Sequence, residues 1–170
     1  MINFKLSINV FLIFCSLFFF TQCGGGSIDF YEELSGNYFY RGEGSGSNEI
    51  ISHSPNQKSI YGEVISYKFN NDFIIALQQP NYKSHKYLIA AQLRTDVTEF
   101  PANSSQEIKT SEKIADSLLK HDSFYLKIFS RKQNSWIIMN KPNKLYSPLN
   151  KEEYLRKRKQ LNIPKELELE

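Results

Sequence analysis

The chain has 170 residues, of which 41% are hydrophobic, 23% charged and 14% aromatic, a length that suits one domain. Residues 1–22 hold one charged residue, Lys5, and six of the 13 Phe, so the remainder carries 20 Lys+Arg against 18 Asp+Glu, a net of +2. That balance excludes a dedicated nucleic-acid binder, which shows a strong basic excess, and the remaining seven Phe, ten Tyr and one Trp argue against global disorder.

Lys5 is followed by an apolar stretch over residues 10–20. At a helical rise of about 1.5 Å per residue such a stretch spans roughly 16 Å, against a bilayer core of about 30 Å. A positive start, a short apolar middle and then Thr21-Gln22-Cys23 read as a signal peptide over residues 1–22. An uncleaved anchor helix is the competing reading. Cys15 lies in the segment to be removed, which leaves Cys23 as the sole cysteine of the mature chain. It has no partner for an internal disulfide, and a lone thiol in an oxidising compartment calls for modification.

Phe20-Thr21-Gln22-Cys23, followed by Gly24-Gly25-Gly26-Ser27, resembles the lipobox of bacterial lipoproteins, with Gln22 where the usual box has Gly or Ala. The resemblance implies that the Cys23 sulfur receives diacylglycerol, that a peptidase cuts before it, and that the new amine is acylated, for instance with palmitate. Two acyl chains make stable attachment where one is marginal. Ordinary cleavage, with Thr21 and Cys23 as the small residues, leaves a soluble secreted protein instead. Residues 23–35 then read as lipidated cysteine and flexible tether, and residues 36–170 as one domain.

Within that domain, residues 37–41 form the first expected strand, residues 42–47 a loose turn and residues 49–53 a short strand pairing back. Residues 59–69 alternate, with Tyr61, Ile65, Tyr67 and Phe69 on one face. Asn70-Asn71-Asp72 reads as a hairpin turn because Asn and Asp tolerate positive φ. Residues 73–77 are a continuous apolar run, expected as a central strand buried on both faces. Residues 80–86 read as a loop and residues 87–93 as a further strand.

Residues 104–120 are the first expected helix, with Ser104 and Glu107 as a capping box. Residues 124–129 alternate as a strand, with Phe124, Leu126 and Ile128 on one side. Residues 136–139 form the most apolar strand, and residues 141–144 a turn before a short return at residues 145–146. Asn150 and Glu153 form a second capping box, opening a helix over residues 151–161 with Pro164 beyond its end. Strands joined by short turns imply an α+β fold, a mainly antiparallel sheet with two helices.

Trp136-Ile137-Ile138, Tyr146-Ser147-Pro148-Leu149, Glu152-Glu153-Tyr154 and Leu161-Asn162-Ile163-Pro164 resemble a group of small uncharacterised bacterial lipoproteins, with Ser147 in place of a glycine. The resemblance covers the last part of the chain and implies a fold and a cell-envelope location.

Candidate chemistry is sparse. His53, His85 and His121 stand at no metal-ligand spacing and read as loop residues, so neither metal nor cofactor is expected. Gly42-x-Gly44-x-Gly46 leads into a strand rather than a helix and reads as a hairpin loop rather than a phosphate cradle. Asp96 and Glu99 are the carboxylates on which an envelope-polymer hydrolase would depend. The cation run 156–159 follows Glu152 and Glu153, an order the helix dipole favours. Tyr38, Tyr40, Tyr61 and Tyr67 carry an apolar ring and a polar tip, and form the expected contact set for an envelope glycan or protein. The expectation is therefore a membrane-anchored binding or structural module facing the periplasm or exterior. The alternatives are the hydrolase, or an inhibitor or immunity-like lipoprotein that masks a protein partner.

Overall fold

The computed structural model describes residues 30–42, 48–54 and 57–169. Cys23, the apolar stretch before it and most of the Gly42–Gly46 loop lie outside the described residues. Two antiparallel sheets form. The first has three strands in the order β1 (Phe30–Glu33), β2 (Tyr38–Gly42), β3 (Asn48–Ser52). The second has four, in the order β4 (Glu63–Phe69), β5 (Phe73–Gln79), β6 (Asn134–Met139), β7 (Lys144–Leu149). Helices α1 (Tyr82–Leu93), α2 (Ser105–His121) and α3 (Ser123–Phe129) lie between β5 and β6 in the chain, and α4 (Lys151–Gln160) follows β7.

The fold is therefore α+β with antiparallel pairing throughout, but with two sheets and four helices among the described residues, where one sheet and two helices were expected. Ile50 of β3 and Ile60, in the segment before β4, form an isolated bridge, exchanging backbone hydrogen bonds of 3.1 and 2.7 Å. β1 occupies residues 30–33, which the sequence reading assigns to the tether, and pairs with β2 instead.

β5 is the central strand expected from its apolar run. Ile74 and Ala76 face a core shared with Tyr38, Ile50, Val64, Trp136 and Ile138. Ile75 faces the opposite side, with Ile137, Tyr154, Ile163 and Leu167. The first sheet and α3 cover one face of the second sheet, and α4 with the segment after it covers the other. In the β4–β5 turn, Asn70 Oδ1 accepts from the backbone N–H groups of Asp72 and Phe73, both at 2.9 Å. That Asx geometry makes the turn without positive φ at any of its three polar residues.

Three expectations fail for identifiable reasons. Residues 80–86 and 87–93, expected as loop and strand, are one helix, α1, begun by Asn81, whose side chain accepts from Ser84 N at 3.1 Å. Its His85, Ile89 and Ala90 pack inward at helical spacing. Residues 124–129 form α3 rather than a strand, capped by Asp122, which accepts from Phe124 N at 2.8 Å. Phe124 and Ile128 share a face under either period, since four residues is a multiple of two and close to one helical turn. Leu126 separates the two readings, and it is half exposed. In β4 a bulge at Ile65 shifts the register between Val64 and Ser66. The alternation reverses there, so Val64 and Tyr67 face the core and Ile65 is exposed.

Both capping boxes form as expected. Asn150 Oδ1 accepts from Glu153 N at 2.8 Å, and a Glu153 carboxylate oxygen accepts from Asn150 N at 2.7 Å. Asn150→Ala is expected to destabilise the protein by about 1 kcal/mol, and Asn150→Gly by a few tenths. Midpoints of urea unfolding check the difference. The cation run divides along α4. Arg158 is buried and donates to the Pro164 carbonyl at 2.7 Å, while Lys157 lies over the Tyr146 ring at 4.8 Å. The first ties the terminal segment to α4 and the second ties α4 to β7, so these two cations do not form an open basic face.

Candidate functional site

Four separate pieces of chain meet at a cavity of about 270 Å³ between the two sheets and α1. Lys58 and Tyr61 come from the segment joining β3 to β4, His85 and Gln92 from α1, Phe124 and Tyr125 from α3, and Trp136 from β6. Lys58 is the one charged residue among the described residues of the lining. Its Nζ lies 3.8 Å from the centre of the Phe124 ring and 5.7 Å from that of Tyr125, a cation–π position at the cavity edge.

Behind the cavity is a buried polar network centred on Gln78. Its Nε2 donates to the Tyr61 carbonyl, and its Oε1 accepts from Trp136 Nε1 at 2.9 Å and from Asn134 Nδ2 at 3.5 Å. Gln78 Nε2 also lies 3.4 Å from His85 Nε2, and His85 Nδ1 lies 2.9 Å from the Asn81 carbonyl oxygen. A carbonyl only accepts, so the imidazole proton sits on Nδ1 and Nε2 is the acceptor. Burial pushes the His85 pKa down to about 4 from 6.5, against a smaller opposing effect of the Asn81 carbonyl. His85 is thus a neutral wall with both nitrogens engaged, not a poised base. Gly62, at φ +87°, lets the ring sit there: a Cβ at this position would stand 2.9 Å from His85 Cε1.

Tyr61 donates its hydroxyl to Gln92 Oε1, and its ring meets His85 edge-on at a centroid distance of 6.1 Å. Burial pushes the Tyr125 hydroxyl up to about 12, so it remains a hydrogen-bond donor at neutral pH. The cavity therefore offers aromatic walls, one cation and a protonated phenol. That combination suits an occupant with a flat or apolar body and an acceptor-rich end. A further ion pair lies beside it: Glu49, fully buried, accepts from the partly exposed Arg41 Nη2 at 2.8 Å, and Ser84 Oγ is 3.5 Å from its other oxygen.

Of the four tyrosines expected to contact a ligand, Tyr61 alone lines this cavity. Tyr38 is 2% exposed and belongs to the core, so it presents no surface to a ligand. Tyr40 and Tyr67 stack on each other at 4.4 Å, and the Tyr67 hydroxyl is held by Glu32. These two weld the first sheet to β4. The expected four-tyrosine surface does not assemble as a unit.

Asp96 and Glu99 are exposed in the loop after α1, and neither lines the cavity. The Thr98 backbone N–H holds the Asp96 carboxyl below its usual range, opposite to the shift a general acid requires. His53 rests on Phe39 at 4.6 Å with Nε2 3.5 Å from Glu33, and His121 lies 2.9 Å from the Ser117 carbonyl. His85 is not a loop histidine, as expected, but a buried helical one. No group of three or more His, Cys, Asp or Glu positioned for a metal occurs among the described residues. None of their helices is long and apolar enough to cross a membrane.

Sequence reasoning passed over His85, Gln92 and Gln78. A signal existed for each. His85, Ile89 and Gln92 stand at i, i+4 and i+7, one face of a helix, and Gln78 continues the alternation of Ile74 and Ala76 into the core. No protein-family model matches the chain, and no curated protein or solved structure matches it.

Proposed function

We propose that this chain is a lipid-anchored bacterial cell-envelope protein whose globular domain is a non-catalytic binding module. The observation that carries the reading is the position of Cys23, the only cysteine outside the apolar stretch, directly after Phe20-Thr21-Gln22 and before three glycines. Diacylglycerol on that sulfur supplies two acyl chains at one residue, enough for stable attachment.

The aromatic cavity supports the binding part. Tyr61 and Gln92 are hydrogen-bonded to each other, and Lys58 and Tyr125 are the donors this reading assigns to an incoming acceptor. The occupant in this reading is a small acceptor-rich group carried by an envelope glycan or protein.

Metabolic labelling with an alkyne-bearing palmitate in the native bacterium tests the anchor. Wild type takes up label, and its mature form begins at residue 23. Cys23→Ala takes up none and accumulates as precursor. Label retained in that mutant, or an unmodified sulfur in the mature wild-type protein, refutes the proposal. A second reading, a lipoprotein that masks a protein partner, is favoured by Tyr31, half exposed on β1 and stacked on Phe39 at 4.7 Å. Co-purification of a stoichiometric partner from gently solubilised membranes, lost on Tyr31→Glu, separates it from the first.

A further inference from the structure

A second cavity, of about 670 Å³, lies on the opposite side of the four-stranded sheet, beneath α4. Its size falls within the roughly 300–1,000 Å³ typical of small-molecule sites. Its lining divides into two chemistries. Leu77 of β5, Leu149 of β7, Leu155 of α4 and Leu169 of the terminal segment supply an apolar wall. None of these four leucines is fully buried, and Leu155 is 47% exposed. An apolar occupant would remove all four from water at about 25 cal/mol for each Å² covered.

The other chemistry is charge. Arg131 Nη1 already serves Glu153 at 3.2 Å and the Pro148 carbonyl at 3.3 Å. Glu168 faces Arg158 at 3.5 Å. Lys151, the remaining charged residue of the lining, enters no ion pair among the described residues. The cavity thus combines a leucine wall with one uncompensated cation.

We propose that the cavity beneath α4 binds a single-chain amphiphile with a carboxylate head, its hydrocarbon against Leu77, Leu149, Leu155 and Leu169 and its head at Lys151. The site is separate from the aromatic cavity and independent of the reading of Cys23.

Photo-crosslinking tests it on the purified full-length protein, where no metabolic acylation occurs. The probe is a dodecanoate carrying a diazirine in the chain and a terminal alkyne. Adducts are expected on peptides that contain the lining leucines, and unlabelled dodecanoate competes them away. Lys151→Glu, an exposed change in the first turn of α4, is expected to lower adduct yield at subsaturating probe about fivefold, the scale of one partly exposed charge contact. Leu155→Trp, at a half-exposed position, puts a bulkier ring into the apolar wall and is expected to lower these adducts severalfold while thermal unfolding stays near wild type. Adducts confined to other surfaces, or undiminished in Leu155→Trp, overturn the site. Methyl dodecanoate competing as well as dodecanoate overturns the carboxylate head.

Discussion

Gln78→Leu is expected to destabilise the protein by about 2–6 kcal/mol, although it puts an apolar residue of similar size into an apolar strand. Gln78 is fully buried between β4 and β6. The substitution strips the Tyr61 carbonyl of its donor and Trp136 Nε1 of its acceptor. Each buried polar group left unsatisfied costs about 1–3 kcal/mol. Asn134 suffers less, because its Nδ2 also donates to the Ile128 carbonyl at 3.0 Å. Domains of this size are stable by about 5–15 kcal/mol, so the mutant should unfold at a visibly lower urea concentration. Trp136→Phe removes the orphaned donor. The double mutant should therefore be more stable than the sum of the single changes implies, because deleting both partners of a buried hydrogen bond costs less than deleting one. A Gln78→Leu protein within 1 kcal/mol of wild type would show that the network has little energetic weight.

Helix starts were legible where a side chain must reach a particular backbone N–H, as at Ser104 with Glu107 and Asn150 with Glu153. The central strand was legible because Ile74, Ile75 and Ala76 leave no polar face for water. The helices α1 and α3 were hidden by composition. Tyr87 in α1 and Phe124 with Ile128 in α3 are residue types enriched in strands, and tertiary packing overrode that preference. The bulge at Ile65 had no sequence signal, since an extra residue in one strand is defined by its partner.

The candidate site was less legible still. Tyr61 stood out through its own chemistry, a ring with a polar tip. His85 and Gln92 depended on recognising α1, and Gln78 on knowing which face of β5 meets the cavity wall. Lys58, Tyr61, His85, Tyr125 and Trp136 converge only because β6 pairs with β5 after three intervening helices. No local pattern encodes such a meeting. The proposed attachment point is the reverse case, because the residues that suggest it, Phe20-Thr21-Gln22-Cys23, are consecutive in the chain.

His85 makes the stability of the domain depend on pH above the range in which carboxylates titrate. Unfolded, its imidazole has its ordinary pKa of 6.5, whereas burial in the fold pushes it down to about 4. Between those values the unfolded chain holds a proton that the folded protein does not, so acid favours unfolding. The His85 contribution is complete above pH 6.5 and is lost progressively as pH falls to about 4, with a total on the order of 3 kcal/mol. The chemistry agrees with this sign. A proton added at Nε2 would turn it toward Gln78 Nε2, donor against donor, while Nδ1 remains committed to Asn81. The carboxyls of Glu107 and Glu153, held below their usual 4.5 by backbone N–H groups, contribute a separate loss at lower pH. Urea midpoints measured from pH 7.5 to 4.5 should fall steadily in wild type. In His85→Asn, which removes the titrating ring, they should start lower and change little over the same interval, so the difference between the two curves isolates this one side chain. Parallel curves would mean that His85 is solvated and protonates freely in the folded protein, and the neutral wall assigned to the aromatic cavity would fall with it.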